Sequence, residues 1–473
     1  MQTKLKKLLE IFLSTKKLIP IAMGIISLHT FALDFPENFL FGVANAPAHV
    51  EDQLDDPWMD FAKRGNTKSF LNHTRPDDRL EFWTRPEVEI NLASELGVDV
   101  FRLGIDWQRL VPSKSKKITN LKAIKRYKEI FKLLRDKNIK IMLTLFHHSL
   151  PDWAIKMGGW TNPDLIDYFN GFAMDALKYF HEDIHFLITF NEPNVYSMFS
   201  YVTGMWPPGA SNKWALINPL SGDFYTAQKN MAKAHNLLYQ KIGPKQYDIK
   251  VSVAHNIANY KASKWYHKLN VWWANKYMNY YFLDLVRNNL DFLGFNYYGQ
   301  EIIDFKGPVF KEGIQYSDAG RAVDAKGLLS KIESLYFRYS LPLFITENGV
   351  ADSRDHLRKY YLLKHLGRIE EAISKDIPIL GYIHWTLTDN FEWSDGYCPK
   401  FGLVAVDRKN DLKRIKRDSF YFYQRIISKK SINPSEIRKD YLANDGKLRD
   451  MCRSSNGIDA LDKAKTQVFK AIL

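Results

Sequence analysis

Along the chain, short runs of apolar and β-branched residues alternate with stretches whose apolar positions recur every three or four residues. Eight runs stand out: 39–46 (FLFGVANA), 99–105 (DVFRLGI), 139–146 (IKIMLTLF), 184–190 (IHFLITF), 249–255 (IKVSVAH), 291–297 (DFLGFNY), 342–347 (PLFITE) and 379–385 (ILGYIHW). Near-continuous apolar runs of this length suit parallel strands buried on both faces. Amphipathic helices are predicted between them at Leu121–Asp136, Asp164–His181, Tyr225–Lys241, Trp265–Arg287 and His356–Ser374. Strands and helices in that alternation predict an α/β fold, a single (β/α)8 TIM barrel. A doubly wound sheet is the alternative, but the glycine-rich phosphate turn that usually opens one is missing from the sequence. With no Pro/Ser-rich linker and no internal repeat, one barrel domain is expected over 34–430, flanked by segments 1–33 and 431–473.

The flanks read differently from the barrel. Lys4, Lys6, Lys7, Lys16 and Lys17 precede an apolar run from Leu18 to Leu28. A basic stretch followed by about ten apolar residues fits a signal peptide. The run is shorter than the roughly 20 residues of a spanning helix. An amphipathic helix lying on the fold or on a membrane is the alternative. Either way an exported or membrane-associated protein is expected ahead of a cytoplasmic one. Near the other end, Lys413, Arg414, Lys416 and Arg417 are expected to open a helix running through Phe420, Tyr421 and Tyr423. That helix would present a solvated face or a contact for anionic lipid. Residues 431–473 form a basic C-terminal tail of mixed charge.

Composition narrows the classes. With 45% hydrophobic and 14% aromatic residues the chain fills a large core, which excludes disorder. Sixty-seven Lys and Arg against 53 Asp and Glu give +14, which permits an anionic membrane surface as a partner. No nucleic-acid-binding signature accompanies the charge, so a nucleic acid partner is not expected. The two cysteines, Cys398 and Cys452, cannot build a disulfide framework or a structural zinc site, and Cys398 is expected to be a packing residue. No metal-ligand motif is present, and no cofactor is expected.

Chemistry in such a barrel gathers at the C-terminal ends of the strands. Those ends carry Asn45 and His49, Arg102, His147 and His148, Asn191 and Glu192, Asn296 and Tyr298, Glu347 and Asn348, and Trp385. Two carboxylates therefore face one another across the mouth, ringed by amides, imidazoles, a guanidinium and aromatic rings. Cleaving a glycosidic bond requires two carboxyl groups flanking the scissile atom. It also requires donors for hydroxyls and flat faces for the sugar ring. Little in this set suits hydride or phosphoryl transfer.

Thr189-Phe190-Asn191-Glu192-Pro193 and Ile345-Thr346-Glu347-Asn348-Gly349 resemble the two signature segments of glycoside hydrolase family 1. The segments Phe101-Arg102-Leu103, Gly294-Phe295-Asn296-Tyr297-Tyr298 and Trp385 to Trp393 extend the likeness, which runs from about Phe39 to about Ser428. Within the family, Ala46 to Asp52 and Phe146-His147-His148-Ser149-Leu150-Pro151 depart from the usual pattern. They resemble the plant freezing-tolerance galactolipid galactosyltransferases, which move galactose between membrane lipids.

The resemblance implies a retaining mechanism with Glu192 as acid/base and Glu347 as nucleophile, assisted by Arg102 and Tyr298. It implies sugar contacts from His49, His147, Asn191, Asn296, Trp385, Glu392, Trp393 and Phe401. His49 stands where most of the family places a glutamine, and an imidazole lacks the amide's paired donor and acceptor. A β-glucoside, a β-galactoside or a galactolipid is the implied substrate. A β-glycosidase with water as acceptor is the leading expectation, and galactolipid transgalactosylation at a membrane is the alternative.

Overall fold

A computed structural model describes residues 33–64, 79–216, 221–311, 313–433 and 452. Expectations for the leader and for most of the tail lie outside the described residues. Eight parallel strands close into a barrel: β1 (Leu40–Ala44), β2 (Val100–Gly104), β3 (Lys140–Phe146), β4 (Ile184–Asn191), β5 (Lys250–Asn256), β6 (Leu293–Asn296), β7 (Leu343–Asn348) and β8 (Ile379–His384). Each pairs with its sequence neighbour, and β8 pairs with β1. All eight apolar runs thus became barrel strands, the (β/α)8 architecture the alternation predicts.

The helices that pack outside include α1 (Pro86–Leu96), α2 (Leu121–Asp136), α3 (Leu165–Phe180), α4 (Pro193–Tyr201), α5 (Asp223–Gln246), α6 (Lys268–Ala274), α7 (Tyr281–Val286), α8 (Ala325–Tyr339), α9 (Arg358–Ile373) and α10 (Asp418–Lys429). Local chemistry starts several of them: Asn120 caps α2 by accepting from the Ala123 N–H, and Asp324 caps α8 through the Gly327 N–H. The barrel interior is filled by Val100, Met142, Phe186, Ile188, Ala254, Phe292, Phe344 and Ile383. A second, larger core joins the outer faces of the strands to the helices.

Two register shifts aim the site. The β4–β5 ladder shifts between Ile188 and Asn191, and the β6–β7 ladder between Ile345 and Glu347. Strict alternation from Phe186 and Ile188 would turn Phe190 inward. Instead Phe190 stacks on Phe169 of α3 at 4.6 Å, and Asn191 takes the inward place. An irregularity of this kind re-aims side chains at a barrel rim.

Three local expectations are corrected. Trp265–Arg287 is not one helix: a turn at Trp265–His267 leads into α6, a π segment at Asn275–Tyr280 and then α7. The π segment frees the Met278 carbonyl, which accepts from Asn194 Nδ2 (2.8 Å) and His255 Nε2 (3.0 Å). The basic cluster does not open a helix either. Lys413–Lys416 pairs antiparallel with Val404–Asp407, and α10 begins at Asp418. Arg414 pairs with Glu89 and Lys416 with Glu95, both on α1, while Arg417 pairs with Asp389, so folded-state carboxylates hold this charge in place of lipid. Finally, Ser431–Ile432 forms an antiparallel pair with Leu33–Asp34, which carries the folded body past residue 430.

Cys398 is not a lone packing residue. It forms a disulfide with Cys452, 54 residues further on, beside the Pro399 that lines the cavity at the barrel mouth. Two cysteines allow a single pairing, but a separation of 54 residues carries no sign of whether they meet. A cross-link closing a loop of that length restricts the unfolded chain by on the order of 4 kcal/mol. Denatured, unreduced protein should therefore titrate with no free thiol. Two free thiols per chain would show the bond absent, and Cys452→Ser should lower the melting temperature.

Candidate active site

At the C-terminal end of the barrel a cavity of about 160 Å³ is lined by His147, His148, Asn191, Glu192, Tyr298, Glu347, Trp385, Glu392, Trp393 and Phe401, among others. Glu192 sits between β4 and α4 with φ 43°, in the left-handed region that costs a non-glycine residue about 1–2 kcal/mol. Pro193 starts α4 immediately after it. The turn is held by the Glu192 N–H donating to the Ala254 carbonyl at 2.7 Å. Glu192 Oε1 accepts from Asn256 Nδ2 at 2.8 Å and from Asn296 Nδ2 at 2.9 Å. Glu347, at the end of β7, accepts an ion-paired hydrogen bond from Arg102 Nη1 on Oε1 and the Tyr298 hydroxyl on Oε2 at 2.7 Å.

Arg102 binds these parts together. Nε donates to Thr144 Oγ1 at 3.1 Å, Nη1 also to the Thr346 carbonyl at 3.1 Å, and Nη2 to Asn191 Oδ1 at 2.7 Å. Asn191 Oδ1 accepts from Asn296 as well, at 3.0 Å. Its Nδ2 donates to His147 Nε2 at 2.8 Å and to His148 Nε2 at 3.2 Å. Burial, reinforced by the Arg102 charge, holds both imidazoles well below their ordinary pKa, so they are neutral. With Nε2 accepting, this network assigns the ring proton to Nδ1. Neither Nδ1 has a partner among the described residues.

Sequence reasoning placed nine of its twelve site residues on the cavity wall: His147, Asn191, Glu192, Tyr298, Glu347, Trp385, Glu392, Trp393 and Phe401. The other three stand behind it. Arg102 holds Glu347, and Asn296 orients Glu192 and Asn191. His49 is fully buried; its Nδ1 donates to the Phe391 carbonyl, and the Trp393 ring lies 3.9 Å away, centroid to centroid. His49 and Asn296 thus stand next to the residues that form the cavity wall, and the His49 Nε2 has no partner among the described residues. Burial lowers the His49 pKa to about 3, so the ring is neutral behind the wall.

Two residues at the site were missed. Asn256 ends β5, the one strand whose tip the sequence reading passed over, and its amide donates to Glu192. Arg321 comes from a loop that no periodic signal marks; its guanidinium lies 5.4 Å from the Tyr298 ring and pairs with Glu301 at 3.7 Å. Beside the catalytic cavity lies a second, apolar one of about 280 Å³, which shares Val195, Phe199, Met205 and Arg321 with the first. Met198, Trp273, Met278, Ile302, Ile303 and Phe310 give it its character.

The arrangement has counterparts. The model of glycosyl hydrolase family 1 matches residues 32–284 and 267–432. Galactolipid galactosyltransferase SFR2, chloroplastic, of Arabidopsis thaliana is 35% identical over 91% of this chain and 80% of its own length. Beta-glucosidase A of Thermotoga maritima is 28% identical over 83% of this chain and 97% of its own. Among solved structures, a β-glycosidase from Pyrococcus horikoshii superposes with a TM-score of 0.76 and 27% identity, covering 88% of this chain and 99% of that one. The T. maritima β-glucosidase in complex with castanospermine gives 0.76 at 25% identity, covering 85% and 99%. A barrel whose fourth and seventh strands each end in a buried carboxylate, matched along nearly its whole described length, places this chain in glycosyl hydrolase family 1 as an enzyme of the β-glycosidase type.

Proposed function

We propose that Glu347 is the nucleophile and Glu192 the acid/base of a retaining β-glycosidase, and that the substrate is a β-galactoside with an apolar aglycone. The unequal donor sets on the two carboxyls carry this assignment. Glu347 accepts from a guanidinium and a phenol, donors that favour the anion. Glu192 takes two neutral amides on Oε1, which leaves Oε2 to carry a proton. In the first step a Glu347 oxygen attacks the anomeric carbon, the bond to the aglycone oxygen breaks, and Glu192 protonates that oxygen. In the second step an acceptor hydroxyl or water attacks the same carbon, Glu192 takes its proton, and the bond to Glu347 breaks. Two inversions give net retention, with carboxyl groups expected about 5–5.5 Å apart.

The walls suit a sugar. Trp385 and Trp393 offer flat faces, and the unpaired His147 Nδ1–H offers a donor for a hydroxyl. Burial holds Glu392 well above the usual carboxylate range while Trp385 Nε1 donates to it at 3.3 Å. That carboxyl is suited to take sugar hydroxyls.

A second reading, galactolipid transgalactosylation, is favoured by the apolar cavity joined to the catalytic one, which provides room for a lipid portion. The galactolipid galactosyltransferase of A. thaliana supports it, and the word chloroplastic in that name agrees with a location outside the cytoplasm. Both readings use the same catalytic residues and differ in the acceptor.

Product analysis with nitrophenyl β-galactoside, nitrophenyl β-glucoside and monogalactosyl lipid in mixed micelles separates them. Free galactose as the main product supports the hydrolase, and oligogalactosyl lipid with little free sugar supports the transferase. No turnover of any galactoside would overturn the donor assignment. Glu347→Ala should lower turnover by several orders of magnitude, and added azide should yield an α-glycosyl azide from the nitrophenyl substrate. Near-normal rates in Glu347→Ala would exclude it as nucleophile. Burial pushes the Glu347 pKa up to about 7, against Arg102 and Tyr298, which lower it. Because the nucleophile works ionised, kcat/KM should rise with pH through that titration. Tyr298→Phe removes a lowering contribution, so this acidic limb should move to higher pH. The rate should fall roughly ten- to a hundred-fold, as expected for a lost hydrogen bond to a charge.

A further inference from the structure

The strongest surface feature lies away from the catalytic carboxyls, on the far side of the apolar cavity. Trp265 (79% exposed), Leu269 (73%) and Trp272 (54%) recur at spacings of four and three residues across the turn that leads into α6, and so share one face. Tyr266 is half exposed and packs edge-on to Trp265 with centroids 5.6 Å apart. Phe305, in the turn after Gln300–Asp304, joins them through His267, whose ring lies 5.5 Å from it. Exposed large apolar side chains clustered in this way mark an interaction site.

The charge around the patch has one dominant sign. From Ile249 to Leu283 the chain carries Lys250, Lys261, Lys264, Lys268 and Lys276 and no aspartate or glutamate. Lys264 Nζ lies 5.8 Å from the Tyr266 ring, Lys276 Nζ 5.0 Å from the Trp272 ring, and Lys306 Nζ 5.8 Å from the Phe305 ring. The nearby carboxylates are engaged: Asp304 accepts from the Lys306 backbone N–H at 2.6 Å, and Glu301 faces Arg321. Trp and Tyr with lysines spaced among them suit a bilayer interface, where rings enter the headgroup region and ammonium groups meet lipid phosphates.

The same elements also build the apolar cavity. Asn270, Trp273 and Ala274 line it from the opposite side of α6, and Ile302 and Ile303 line it from the strand that precedes Phe305. One thin wall therefore separates the exposed aromatic face from a chamber that communicates with the catalytic site.

We propose that the face formed by Trp265, Tyr266, Leu269, Trp272 and Phe305, with Lys264, Lys268 and Lys306, docks the enzyme onto an anionic lipid bilayer. It sets the apolar cavity beside the membrane, so that an amphiphilic glycoside reaches the carboxyls without crossing bulk water. A membrane partner was expected from the termini and the Lys413–Arg417 cluster; the patch supplies the contact instead. The docking surface does not depend on which acceptor the enzyme uses, because vesicle binding requires no turnover.

The test is co-sedimentation of the full chain with vesicles of phosphatidylcholine alone and with about a third phosphatidylglycerol. Binding should be stronger to the anionic vesicles, weaken with added salt, and shift tryptophan emission to shorter wavelength. Trp265→Ser/Leu269→Ser/Trp272→Ser should lose about ten-fold or more in partitioning. Its rate on a soluble nitrophenyl glycoside should be unchanged, since none of the three lines either cavity. Lys264→Glu/Lys268→Glu should remove the preference for anionic vesicles. Unchanged binding by the triple serine variant would overturn the proposal, because the termini would then be sufficient. So would a wild-type dimer that the triple variant dissociates without altered vesicle binding, because a second copy would then cover the patch.

Discussion

The buried Arg102 guanidinium is the constraint on which the rest of the site depends. Taking a charge out of water costs several kcal/mol, and only a full set of partners offsets it. Three barrel strands supply them to Arg102 on β2: Thr144 from β3, Asn191 from β4, and Thr346 with Glu347 from β7. The two strands that position Glu192 and Glu347 are thus tied to one cation. Asn296 extends the network by donating to both Asn191 and Glu192, so the positions of the two carboxyls are fixed by one connected set of hydrogen bonds. Such a network is rigid because removing any member leaves a buried polar group unpaired.

From that polar centre outward, the environment changes in steps. Around the carboxyls the walls are aromatic and hydrogen-bonding, as a ring bearing hydroxyls requires. Beyond Val195, Phe199, Met205 and Arg321 the walls become apolar, and α6 stands between that chamber and the exposed aromatic face. Arg321 stands on the boundary, with its plane near Tyr298 and its charge near Glu301. This order of surfaces underlies the proposed substrate with a polar head and an apolar body.

The excess of positive charge is distributed with the same logic. Arg414, Lys416 and Arg417 look in sequence like a free basic cluster but bind carboxylates on α1 and in the loop after β8. The lysines between Ile249 and Leu283 have no acidic residue among them in sequence, and Lys264 and Lys276 lie beside exposed rings. Net charge alone could not separate these cases, because an ion pair between segments some 300 residues apart leaves no local pattern.

What the sequence determined by itself was periodic or contiguous. Eight apolar runs set the barrel strands, and each cavity carboxyl sits at or just past the end of its own strand, so strand end and chemistry are read together. Glu192, Glu347, Trp385 and His147 were legible for that reason. Tertiary structure decided what depends on partners distant in the chain. Register shifts at Asn191 and Glu347 turned the carboxyl-bearing ends toward the mouth, where strict alternation would have misplaced Phe190. The Phe391 carbonyl and the Trp393 ring drew His49 behind the wall, and loop closure brought Arg321 to Tyr298 and Cys398 to Cys452. The physical reason is range: side-chain periodicity follows from local backbone geometry, whereas a hydrogen bond, ion pair or cross-link exists only once the chain has closed around it.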